Sequence, residues 1–201
     1  MNKFLVLLIT LLLTACNKSE PVFDKLSHNA VILAFGDSLT YGTGASEENA
    51  YPAILSNLST REVINAGIPG EISRDGLRRL PSLLDEYQPE LLVLIHGGND
   101  ILRKISLQHT SDNLKQMITL ANQRNIKIIM LGVPKPNLFV LDSAEIYQQI
   151  AEEHNIPIDL ETLPDILSDN QLKSDTIHPN NEGYQIMAEN IFKLLVEAGA
   201  L

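Results

Sequence analysis

The stretch Val31-Ile32-Leu33-Ala34-Phe35-Gly36-Asp37-Ser38-Leu39 decides how the chain is read. Its first five residues are apolar without a break, the pattern of a strand buried on both faces, and Gly36 then turns the chain out of it. Similar runs recur at Leu91–Ile95, Ile126–Leu131 and Ile156–Leu160, and more weakly at Glu62–Ile64. Continuous rather than alternating hydrophobicity implies parallel pairing. Between the runs, Leu77, Leu80, Leu83, Leu84 and Tyr87 share a helical spacing, as do Leu114, Met117, Ile118 and Ala121, and Tyr184, Met187, Ala188, Ile191, Leu194 and Leu195. Strand alternating with helix predicts an α/β domain, a three-layer sandwich whose central five-stranded parallel sheet carries helices on either side. With no internal repeat, low-complexity stretch or interior linker, residues 30–201 read as one domain.

Composition narrows the function. The chain has 201 residues, 44% of them apolar, which suits a globular protein with its own core. Its net charge is −10, with no basic cluster longer than Arg78-Arg79 or Arg103-Lys104, so nucleic acid is not an expected partner. A single cysteine excludes an intrachain disulfide and a cysteine-based zinc cluster. No HExxH spacing or other metal-type cluster is present, and neither metal nor cofactor is expected.

The N-terminus has a charged start at Lys3, an apolar run from Phe4 to Leu13 and small residues before Cys16. These are the parts of a cleaved export signal, and a run of ten residues is too short to span a bilayer. Leu13-Thr14-Ala15-Cys16 resembles the lipobox of bacterial lipoproteins. The resemblance implies a signal peptide over 1–15, an acylated Cys16 at the head of the mature chain and a membrane as partner. The polar stretch 16–29, with Pro21, suits a tether. Asn17 does not resemble an inner-membrane retention signal, so the expected site is the periplasmic face of an outer membrane.

In parallel α/β sheets the ligand site lies beyond the carboxyl ends of the strands, and four unusual segments fall there. They are Gly36-Asp37-Ser38-Leu39, Asn65-Ala66-Gly67-Ile68-Pro69-Gly70, Gly97-Gly98-Asn99-Asp100 and Asp175-Thr176-Ile177-His178-Pro179. A serine needs a base to become a nucleophile, and that base needs an orienting group. His178 and Asp175, three residues apart in a turn closed by Pro179, supply both. The final helix begins just after His178, and its positive end disfavours an imidazolium, a cost the Asp175 carboxylate offsets. An oxyanion formed on an attacked carbonyl needs donors, and the Ser38 N–H, the Gly67 N–H and the Asn99 amide are the candidates.

Together these blocks resemble the SGNH (GDSL) hydrolase superfamily, and within it the small bacterial lysophospholipase, thioesterase and arylesterase branch, over essentially all of 30–201. The resemblance implies a flavodoxin-like sheet and a serine esterase. It assigns Ser38 as nucleophile, His178 as base, Asp175 as its partner, and Ser38, Gly67 and Asn99 as the oxyanion hole, with Asp37 and Asp100 as supports. The substrate it implies is a small acyl ester or thioester.

Each block has a plainer meaning taken alone. Ser38 or Asn99-Asp100 caps a helix, and Gly67 to Gly70 is a turn around Pro69. His96 at a buried strand end reads first as packing, while His28, His109 and His154 read as solvated surface. Ile68 and Pro69, Ile101 and Leu102, and Leu138 and Phe139 are candidate walls for an acyl group. Two other functions share the same residues. A carbohydrate O-acetyl esterase would use the same constellation with a polar pocket, and a phosphate- or flavin-binding module would use the Gly/Ser/Thr-rich loop from Gly36 to Gly44 but leave Asn99 and His178 idle.

Overall fold

The computed structural model describes residues 22–135 and 142–201. The chain forms β1 (Val31–Gly36), α1 (Ser38–Tyr41), α2 (Tyr51–Ser59), β2 (Glu62–Gly67), α3 (Ser73–Tyr87), β3 (Leu91–Ile95), α4 (Gly98–Leu102), α5 (Leu107–Asn122) and β4 (Lys127–Leu131). There follow β5 (Pro134–Lys135), β6 (Asp142–Ser143), α6 (Glu145–His154), β7 (Ile158–Asp159), α7 (Thr162–Ser168) and α8 (Asn181–Glu197). The sheet has five parallel strands in the order β2-β1-β3-β4-β7, and β5 and β6 make a small antiparallel pair. Helices α2 and α8 pack together against one face, α3 and α5 against the other.

Burial explains which elements could be read in advance. Ile32 to Phe35 in β1 and every residue of β3 are buried, as continuous apolar runs require. β2 is an edge strand, partly exposed along its length, so its apolar signal is weaker although it pairs with β1 from Glu62 to Gly67. β7 is shorter than the run Ile156–Leu160. Pro157 has no N–H for the ladder and contributes only its carbonyl, to Met130 N–H at 3.0 Å, so paired strand is confined to Ile158–Asp159. The expected helical faces point inward, with Leu80 and Leu84 of α3, Leu114, Met117 and Ile118 of α5, and Tyr184, Met187 and Ile191 of α8 all buried.

The order of strands reverses between β1 and β3, since the chain leaves β1 for one neighbour and returns on its other side. Such a switch point opens a crevice at the carboxyl edge, because successive connections run to opposite faces. Ser38 follows β1 and Asn99 follows β3, so both lie at that crevice.

Candidate active site

Ser38 is the first residue of α1. The cap is Asp37, whose Oδ1 accepts from Leu39 N–H at 3.1 Å, so the serine hydroxyl is left out of the capping role. Gly42 and Thr43 N–H groups close on the Ser38 carbonyl at 3.1 and 3.0 Å, and Tyr184 Oη donates to the Thr43 carbonyl at 2.9 Å, tying this short turn to α8. Ser38 Oγ lies 2.9 Å from His178 Nε2, across 140 residues of sequence.

The other face of the imidazole is equally defined. His178 Nδ1 lies 2.7 Å from Asp175 Oδ2, while Asp175 Oδ1 accepts from the Ile177 and His178 N–H groups at 2.8 and 2.9 Å. Burial pushes the Asp175 carboxyl up, but the His178 ring and these two N–H groups outweigh it and hold the group below the usual carboxylate range. A carboxylate at Nδ1 keeps the ring proton on that nitrogen, which leaves Nε2 free to accept from Ser38.

Asn99 lies in the first turn of α4, whose cap is Gly97. Its Nδ2 donates to Asp37 Oδ2 at 3.2 Å and to the Glu71 carbonyl at 3.1 Å. Burial pushes Asp37 up, partly offset by the nearby histidines and by the Leu39 and Asn99 hydrogen bonds. Asp100, also buried, accepts from Ser73 N–H and Oγ at 2.7 and 2.6 Å, which joins the start of α3 to α4.

Gly67 sits differently from its neighbours in the expected donor set. Its N–H donates to Asn65 Oδ1 at 3.0 Å, and its bare Cα admits α1, since a Cβ there would stand 2.1 Å from the Tyr41 nitrogen. It is a packing glycine. Immediately after it, Ile68-Pro69-Gly70-Glu71 forms a turn closed by Glu71 N–H on the Ile68 carbonyl at 3.1 Å, with Gly70 at φ 77°. Among the described residues nothing accepts from the Gly70 N–H, and the adjoining Glu71 carbonyl holds the Asn99 amide. The turn around Pro69 was legible in the sequence, but not which of its glycines keeps an unspent N–H.

A cavity of about 290 Å³ opens over Ser38, Asn99 and His178. Ile101 and Leu102 are among its walls, and Ile68 and Pro69 are not. Leu138 and Phe139, like Cys16, lie outside the described residues. Walls not foreseen are Val133, Pro134, Leu167 and Ile177, which come from three separate segments and share no local pattern. The lining is mainly apolar. Ile68, Leu102, Ile177 and Tyr41 are large apolar side chains left exposed at this carboxyl edge.

Glu71 is the ionic centre behind the site. Burial pushes its carboxyl up, but the His96 ring at 3.2 Å and the Arg79 guanidinium at 2.7 Å outweigh it and hold it below the usual range. A carboxyl depressed in this way binds protons less readily in the folded protein than in the unfolded chain, so its stabilisation is full at neutral pH and fades as pH falls through the acid range. Glu71→Gln is therefore expected to lower Tm at neutral pH and to flatten its acid decline. Thermal melts between pH 3 and 7 check this, and parallel curves would contradict it.

A model of the GDSL-like lipase/acylhydrolase family matches residues 34–186. Thioesterase 1/protease 1/lysophospholipase L1 of Escherichia coli (strain K12) is 33% identical over 175 residues, covering 82% of each chain. The arylesterase of Vibrio mimicus is 29% identical over 178 residues, 83% of this chain and 88% of that one. Among solved structures, the psychrotrophic esterase EstA from Pseudoalteromonas sp. matches with a TM-score of 0.74 at 24% identity, over 84% of this chain and 98% of its own, a likeness of fold.

Proposed function

This chain belongs to the GDSL-like lipase/acylhydrolase family and is an ester-hydrolysing enzyme, and on that premise we propose Ser38 as its nucleophile, His178 as its base and Asp175 as the partner of that base. The observation that carries the reading is the relay of two hydrogen bonds, 2.9 Å from Ser38 Oγ to His178 Nε2 and 2.7 Å from Nδ1 to Asp175. As Ser38 Oγ attacks the acyl carbonyl carbon, its proton passes to Nε2. The imidazolium then returns that proton to the leaving alcohol or thiol. Water, deprotonated by the same nitrogen, cleaves the acyl-enzyme and frees Ser38.

The oxyanion is received by the Ser38 N–H, the first of α1, and by the Asn99 amide once its long bond to Asp37 gives way. The third donor in this reading is the N–H of Gly70 rather than that of Gly67, which Asn65 already holds. The substrate is an acyl ester or thioester, because the cavity wall is aliphatic where an acetylated sugar would need polar partners. A phosphate- or flavin-binding role leaves the Ser38–His178–Asp175 relay without a purpose. The test is an organophosphonate label followed by peptide mapping. Stoichiometric modification at Ser38, with loss of activity towards aryl esters and acyl thioesters together, supports the reading, and modification elsewhere refutes it.

Export and anchoring through an acylated Cys16, facing the periplasm, complete the proposal. Phe23 and Leu26 N–H groups donate to the Ala198 and Ala200 carbonyls at 2.9 Å, and Ser27 N–H to Glu90 at 3.0 Å. These bonds fasten the entering chain at the amino edge of the sheet. A lipid on Cys16 would accordingly put the mouth, at the carboxyl edge, on the side of the domain remote from the anchor. Cys16→Ser is expected to move the protein from the membrane fraction to the soluble one with esterase activity intact. An intact mass showing a free thiol at Cys16 in the native protein would rule anchoring out.

A further inference from the structure

We infer that His96 is a positioning residue for the oxyanion donor Asn99, acting through the loop that carries Glu71. The inference rests on the role of Asn99 proposed above. His96 is fully buried where β3 ends, and neither of its ring nitrogens is spent on solvent. Gly97 N–H donates to Nδ1 at 2.9 Å, so the ring proton belongs to Nε2, which faces Glu71 Oε2 at 3.2 Å. The carbonyl of the same Glu71 accepts from Asn99 Nδ2. The two bonds from His96 thus reach Asn99 by two routes. One runs through Gly97, two residues before it, and the other through the loop that holds its amide.

Further contacts make this circuit rigid. Arg79 Nε donates to Glu71 Oε1 at 2.8 Å, and its Nη2 donates to Glu71 Oε2 at 2.7 Å, to the Ala66 carbonyl at 2.8 Å and to the Gly36 carbonyl at 3.2 Å. The guanidinium also lies 4.2 Å above the Phe35 ring. Glu71 is therefore tied to the ends of β1, β2 and β3 at once. α3 closes on the same edge of the imidazole, where a Cβ on Gly76 would stand 2.4 Å from Nε2 and 3.2 Å from Glu71 Oε2. Packing alone would ask for a ring of this size, not for two bonds that converge on one amide.

A donor aimed at a developing charge loses its effect when displaced by about an ångström, so the consequence belongs in kcat rather than in KM. His96→Leu is expected to lower kcat about 10-fold or more while KM for a short acyl ester stays within about 2-fold. The decisive measurement is a double-mutant cycle with Asn99→Ala. If His96 acts through Asn99, the further fall in kcat on adding His96→Leu to Asn99→Ala is under about 2-fold. Equal falls in the two backgrounds, or none in the wild-type background, would overturn the inference. Should the leucine variant fail to fold, His96→Gln, which keeps an N–H for Glu71 but not the acceptor for Gly97, is run through the same cycle with the same criteria. If Asn99→Ala itself leaves kcat unchanged, it is the role of Asn99 that fails, and the cycle separates that outcome from an additive one.

Discussion

Ser38→Ala is expected to lower kcat by about 10⁵- to 10⁶-fold, the order seen when a serine hydrolase loses its nucleophile, with KM changed little. The size of the effect follows from what is left. The N–H groups of Ser38 and Gly70 and the Asn99 amide do not depend on the serine hydroxyl, so the variant still binds and polarises the ester. It lacks only the oxygen that forms the acyl-enzyme, and donors alone give a residual advantage over water of about 10³–10⁴. Stability should hardly move, because Ser38 Oγ caps nothing and alanine is well suited to the first turn of a helix. Steady-state kinetics with an aryl ester, a thermal melt and a phosphonate label on the same preparation make the check. Retained turnover in a folded, unlabelled variant would remove Ser38 from the mechanism.

Much of this arrangement was written locally. The strand before Ser38 and the strand before Asn99 are buried on both faces, so continuous apolar runs mark them, and the residues that follow a buried parallel strand have to emerge at the carboxyl edge. His178 and Asp175 could be paired from their spacing because both contacts are made within one turn. What was not legible depends on distance in sequence. Whether Ser38 or Asp37 caps α1 is a question of side-chain direction, and Asp37 takes that role because its carboxylate also meets Asn99 of α4.

Gly67 and Gly70 illustrate the same limit. A glycine that admits a neighbouring backbone and a glycine at a positive φ in a turn are the same letter, and only the position of α1 tells them apart. His96 is a further case, since burial at a strand end is common to filler and to hydrogen-bonded histidines. Beside the local Gly97 N–H, its partner Glu71 comes from the loop after β2 and its close neighbour Gly76 from α3. The cavity walls Leu167 and Ile177 were hidden for the same reason, each being an ordinary apolar residue until the fold brings it beside Ser38.

Asp175→Asn should lower kcat by about 10⁴-fold, although the change replaces one atom and leaves the backbone turn intact. Asp175 uses both of its oxygens as acceptors. Oδ1 takes the Ile177 and His178 N–H groups, and Oδ2 takes His178 Nδ1–H. Asparagine has one acceptor oxygen for the two positions. The pair of backbone N–H groups claims it, because those donors are fixed by the turn, and the amide nitrogen is left facing the ring. Its hydrogens then require an unprotonated Nδ1, so the imidazole proton moves to Nε2 and opposes the hydroxyl hydrogen of Ser38. The base is present and correctly placed, yet in the tautomer that cannot accept. Asp175→Ala, which places no donor against Nδ1, should lose less than Asp175→Asn. That ordering separates a tautomer effect from simple loss of a charge, for which the two variants would be equal. Measured kcat values in the reverse order would show that Asp175 does not set the proton on His178.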